Sequence, residues 1–288
     1  MNGRLLRLPS AALILSRFAS TALSLVSAVV LAHLLRPEGY GAYAGALAIV
    51  ALVTLFGPLG VDQVLLSGRT GDVSAQHALA RAAVFSSVVV ALAALTWPGI
   101  AGEERVAIAL LGASAVANQL RLVWYAEPQS RLDFAARAKR ELLVVAGLTS
   151  ATVFAAIVSR SVLVTAGVTM FASVILWLPA RRWFLEGRRG GVWSERQGQT
   201  DHIGWRAVLK AGWPFAASAA AYTGYVQMGG ALLVSLGSRL VVAYYRTAWT
   251  FFLGAVVLPA ALNNDILRPR IYSLGPQGRL GPLLALRI

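Results

Sequence analysis

Arg17, Ser20, Thr21, Ser24 and Ser27 recur at helical spacing inside a run of otherwise apolar residues, so they share one face of a helix. A guanidinium beside a row of hydroxyls pairs with anions, and phosphate oxygens match its planar fork well. Two explanations of this face stand open. Either it lines a wet cavity, or the small hydroxyl side chains let helices pack closely while Arg17 extends to the nearby interface. Ser218, Tyr222 and Tyr225 form a second polar stripe, with Gln227 lying off it. Arg246, beside Tyr244, Tyr245 and Thr250, is a second cation, set either in the same cavity or in an interfacial aromatic belt. Asp62 and Asp265 lie near segment ends, where capping or pairing with arginine accounts for them and proton or sodium coupling is the alternative. The chain has no cysteine, and His33, His77 and His202 lack metal-ligand spacing, so neither a metal nor another cofactor is expected.

The elements that must carry these residues are long apolar runs. A helix rises about 1.5 Å per residue and needs roughly 20 apolar residues to cross the hydrocarbon. Eight segments meet or approach that length, at about 11–34, 41–66, 82–100, 106–125, 142–158, 161–180, 207–236 and 240–262. With 57% hydrophobic and 13% charged residues and a mean hydropathy of +0.66, the 288-residue composition agrees. The fold expected is therefore an all-α integral membrane protein of about eight transmembrane helices. Arg4 and Arg7 precede the first run, but that run is too long for a signal peptide and lacks a convincing cleavage site.

The net charge of +14 invites a nucleic-acid reading, yet its distribution reports topology instead. Placing the N-terminus in the cytoplasm leaves only Arg36, Arg105, Arg160 and Arg239 in the outer turns, whereas most other arginines and lysines fall in inner segments. That bias fixes orientation during insertion. The outer connections are too short to fold by themselves. The longest polar stretch, residues 181–206, reads as a cytoplasmic linker, dividing the chain into residues 1–184, a linker at 185–205, and residues 206–288.

Shifting the chain by 201 residues superposes the first two spans on the seventh and eighth without a gap. The shift matches Ala42-Tyr43 with Ala243-Tyr244 and Pro58 with Pro259, and it carries Arg17, Thr21 and Ser24 onto Ser218, Tyr222 and Tyr225. Six spans separate the copies, so both insert in the same direction. The expected arrangement is a six-helix N-lobe and the start of a parallel C-lobe, with the two polar stripes facing each other. Gly41 and Gly45 form a GxxxG packing signal at the start of the second span, and Pro58 and Pro259 are candidate bending points.

The segment from Leu31 to Leu66, built around LLRPEGYGAYA and LGVDQVL, resembles the opening of Wzx-like polysaccharide flippases of the multidrug/oligosaccharidyl-lipid/polysaccharide exporter superfamily. Gly212-Trp213-Pro214-Phe215, the run from Val242 to Ala248, Pro259 and Arg268-Pro269-Arg270 are similar to that family's second lobe. The resemblance implies twelve to fourteen helices in two lobes that move undecaprenyl-diphosphate-linked oligosaccharide between leaflets of the bacterial cytoplasmic membrane by alternating access. It also implies cavity cations that hold the diphosphate, with Arg17 and Arg246 matching by position. The sequence reaches Ile288 with at most the beginning of a ninth span, so the expectation is an incomplete second lobe. Such a chain is a fragment, pairs with a second chain or with other polysaccharide-assembly membrane proteins, or does not transport. A drug/cation antiporter of the same superfamily should offer carboxylates where this chain offers Arg17. A membrane-embedded polysaccharide-synthesis enzyme should carry acids or histidines in a sizeable extramembrane loop. The partners expected are the bilayer and a lipid-linked oligosaccharide, not a nucleic acid.

Overall fold

The computed structural model describes residues 8–55, 57, 59–66, 72–100, 102–130, 132–179 and 204–261. These residues form ten helices and no strand: α1 (Leu8–Leu34), α2 (Arg36–Val53), α3 (Val61–Leu66), α4 (Asp72–Thr96), α5 (Gly102–Leu120), α6 (Leu122–Ser130), α7 (Phe134–Ser159), α8 (Val162–Ile175), α9 (Trp205–Leu236) and α10 (Arg239–Ala261). Stretches at Ala12–Leu34, His77–Thr96, Gly102–Ala126 and Phe134–Ser159 are long and apolar enough to cross a membrane. The exterior fits that reading. Leu15, Val84, Leu95, Phe154, Val158 and Phe171 are exposed, a surface that water would penalise and lipid does not.

Three of the boundaries that depart from the expected spans have local reasons. The second span is two helices. α2 ends where the Thr54 hydroxyl bonds back to the Val50 carbonyl, and Leu59 and Gly60 then take left-handed backbone angles of 47° and 68° before α3 begins. The fourth span likewise divides into α5 and α6 at Arg121. The fifth starts earlier than expected because the Asp133 carboxylate caps it by accepting from the Ala136 amide. Arg137, Lys139 and Arg140, expected in an inner connection, therefore ride on the first turns of α7.

Packing is organised around α2. Its buried face, including Tyr43, Ala46, Ile49 and Val50, shares a core with Ala107, Ile108 and Leu111 of α5, Ala156 of α7, Ala166 of α8 and Ala243 of α10. Small residues set the spacing there. A Cβ on Gly41 would overlap the Arg239 carbonyl, and one on Gly45 would lie 2.6 Å from Val234. The first span packs chiefly on α7, α10 and α2, whereas α9 packs chiefly on α2, α4, α3 and α10. α1 and α9 thus flank the α2–α10 pair. A smaller core joins Val61, Val64 and Leu65 of α3 to Ala78 and Leu79 of α4, Ala126 of α6 and Val208 of α9. The expected linker at 185–205 falls almost wholly outside the described residues, as do Pro58 and Asp265.

Candidate functional site

Arg17 reaches α7 and pairs with the Glu141 carboxylate through a guanidinium nitrogen. The pair is largely buried, with side-chain exposures of 26% and 9%. Glu141 also faces the Arg137 Nε at 3.6 Å, one helical turn before it on α7. Arg137 stands 4.7 Å above the Tyr125 ring, while Arg140 stands 5.0 Å above Trp124 and donates to its carbonyl. Cations from two helices are thereby gathered around one carboxylate and two aromatic rings of α6. Neighbouring contacts hold α1 in register with α7: Leu13 is fully buried against Phe134 and Ala138, and the Ser16 hydroxyl bonds its own helix at the Leu13 carbonyl.

The rest of the first stripe divides. Ser20 is buried, Ser24 is exposed and bonds back to the Ser20 carbonyl, and Thr21 sits within ordinary contact distance of the Gly254 position on α10. This face therefore meets α7 and α10, not α9.

Arg246 occupies a different setting on α10. It donates to the Gln227 side-chain oxygen of α9 at 3.3 Å and lies in the electrostatic field of the Tyr40, Tyr245 and Tyr43 hydroxyls. No carboxylate pairs with it among the described residues. A guanidinium in that setting has no carboxylate among the described residues to compete with an incoming anion.

The second stripe stands apart from both arginines. Ser218, Tyr222 and Tyr225 are exposed on α9, Tyr225 at 83%. The two stripes do not confront one another as expected; α2 and α10 lie between the helices that carry them. Asp62 is half-buried on α3, where it accepts from the Gln63 amide at 2.9 Å. Glu141 and Gln227 were not singled out from the sequence as partners. Glu141 had one usable signal, its position four residues after Arg137. Gln227 had none, because it lies off the stripe.

Opposite the Arg17 end, the connection after α4 is tied to the last two helices. The Trp97 indole donates to the Ser235 hydroxyl at 3.1 Å, and the Arg239 Nε donates to Glu104 at 2.7 Å. Between them lies a cavity of about 240 Å³ lined by Gly41, Gly45, Glu104, Ser238 and Arg239 among others.

A helical body with an apolar exterior and charged pairs between its helices defines a membrane protein. The model of one family, described as polysaccharide biosynthesis protein, matches residues 30–248, and the chain belongs to that family. Its role therefore lies in polysaccharide synthesis or export. No curated protein and no solved structure matches the chain.

Proposed function

We propose that the chain is a flippase, not an enzyme, which moves undecaprenyl-diphosphate-linked oligosaccharide across the bacterial cytoplasmic membrane by alternating access. The observation that carries the reading is Arg246. A guanidinium that donates to an amide, lies in the field of three tyrosine hydroxyls and pairs with no carboxylate among the described residues suits a diphosphate that must leave water to cross. Arg17, already neutralised by Glu141, serves as a switchable cation that opens its ion pair when the diphosphate approaches. The N-terminus is cytoplasmic on this reading, from the arginine bias along the chain.

The internal repeat supports the transport class. Exchanging α1 with α9 and α2 with α10 sends the α1–α10 interface onto α9–α2 and the α1–α2 interface onto α9–α10, and all four interfaces exist. This pattern accords with two like-oriented halves around an axis along the membrane normal.

Complementation tests it. In cells that lose surface polysaccharide on deletion of the gene, the wild type restores it. Arg246→Ala, present in the membrane at equal amount, leaves lipid-linked oligosaccharide accumulated on the inner leaflet, and Arg246→Lys restores part of the flux. Full restoration by Arg246→Ala overturns the assignment.

A further inference from the structure

An apolar groove of about 770 Å³ runs along the outside of α4 and ends against α9. It is lined by His77, Ala80, Arg81, Val84, Phe85 and Val88, one helical stripe, with Trp205 closing the charged end. From His77 to Val88 the stripe extends about 16 Å at the helical rise, close to half of the roughly 30 Å hydrocarbon core. His77 begins the apolar span His77–Thr96, so the groove starts at a membrane boundary and stops near the midplane.

The boundary end is cationic. The Arg81 guanidinium lies 4.0 Å above the Trp205 ring and that of Arg206 lies 5.3 Å from the same ring, so one indole holds two positive groups. Neither pairs with a carboxylate among the described residues. The indole spreads their charge but leaves their N–H donors unused for ion pairing. Val84, Phe85 and Val88 further along are exposed and offer nothing polar.

We propose that this groove binds one anionic phospholipid of the inner leaflet, its phosphate against Arg81 and Arg206 and one acyl chain along the α4 stripe. The match is in charge and length together: two guanidinium groups that pair with no carboxylate among the described residues where the headgroup sits, then an apolar trough one leaflet deep. A soluble phosphate would satisfy the arginines and leave the trough unexplained. A zwitterionic lipid would fill the trough and leave the positive charge unbalanced. The site is separate from Arg246 and does not depend on transport. By joining α4 to the start of α9, the lipid would brace the first helices against the last two.

The test uses the full chain, purified in mild detergent and offered equal amounts of phosphatidylglycerol and phosphatidylethanolamine, with retained lipid counted by native mass spectrometry. Wild type is expected to keep one phosphatidylglycerol in preference to phosphatidylethanolamine. Arg81→Ala should cut that preference roughly fivefold, the effect of about one surface cation. Val84→Trp, which fills the trough and leaves the charges, should lower retention of both lipids. Each variant is compared at equal monodispersity on size exclusion. Equal retention of the two lipids by wild type, or an unchanged preference in Arg81→Ala, overturns the proposal. Displacement of the lipid by inorganic phosphate alone also overturns it, since the acyl chain would then contribute nothing.

Discussion

Glu141→Ala removes a carboxylate that faces both Arg17 and Arg137, leaving two guanidinium groups in a mostly buried site. Breaking a buried pair from one side costs about 3–5 kcal/mol. Arg17 is a quarter exposed, so the lower end applies, about 3 kcal/mol or roughly a hundredfold in the folding equilibrium. Arg17→Ala costs less, about 1–2 kcal/mol, because Glu141 keeps Arg137 as a partner. The double variant removes the Arg17 charge together with its Glu141 partner, so it should lose about 3 kcal/mol, leaving a coupling of about 1–2 kcal/mol. Reversible unfolding in mixed micelles, followed by circular dichroism, measures all four corners of the cycle. Single losses that add to the double loss within about 0.5 kcal/mol would refute the pairing as an energetic contact.

Four further perturbations separate packing from polarity. Gly41→Ala places a methyl onto the Arg239 carbonyl, which is backbone and yields little, so a loss of about 1–3 kcal/mol is expected. Gly224→Ala, which meets open space on α9, should be neutral or stabilise by up to about 1 kcal/mol in the same micelle assay. The buried Ser114 and Ser173 hydroxyls share a 2.6 Å hydrogen bond between α5 and α8, so either alanine variant should cost about 1 kcal/mol and the double variant scarcely more. Arg121 is fully buried and none of its three side-chain nitrogens has a hydrogen-bond partner among the described residues, so Arg121→Met should raise stability by about 1 kcal/mol or more. A destabilised Arg121→Met protein would reveal a bound counter-group.

The helical class was legible because hydropathy over twenty residues is a strong signal and lipid tolerates little else. Boundaries were less so. The break after α2 depends on a Thr54 hydroxyl and on the backbone angles of Leu59 and Gly60, which add almost nothing to a hydropathy sum. Arg17 was found by its cost in an apolar run, but its partner Glu141 sits 124 residues away, and no local pattern connects the two. Helical spacing placed Thr21 and Ser24 on a common face, yet it could not say which helix that face meets. In the structure α10 takes that place, through the small Gly254 opposite Thr21. The Gly41 and Gly45 signal transferred directly, since close approach of backbones requires the missing Cβ whatever the partner.

The two arginines differ in what an anion must displace to reach them. Under the flippase proposal an incoming diphosphate competes with Glu141 at Arg17, and the carboxylate it releases still has Arg137 within 3.6 Å. Exchange there conserves charge pairing at each step, which keeps its barrier low. At Arg246, under the same proposal, the anion displaces a neutral amide and meets no competing carboxylate among the described residues. The gradient in competing negative charge therefore favours passage from Arg17 toward Arg246 under the flippase proposal. Glu141→Gln removes the competitor while keeping a hydrogen-bond acceptor. It should hold lipid diphosphate more tightly at Arg17 and slow flipping, whereas Arg246→Gln should weaken binding and slow flipping. Binding and flux measured together on the two variants distinguish them, and tighter binding in neither would remove the gradient from the mechanism.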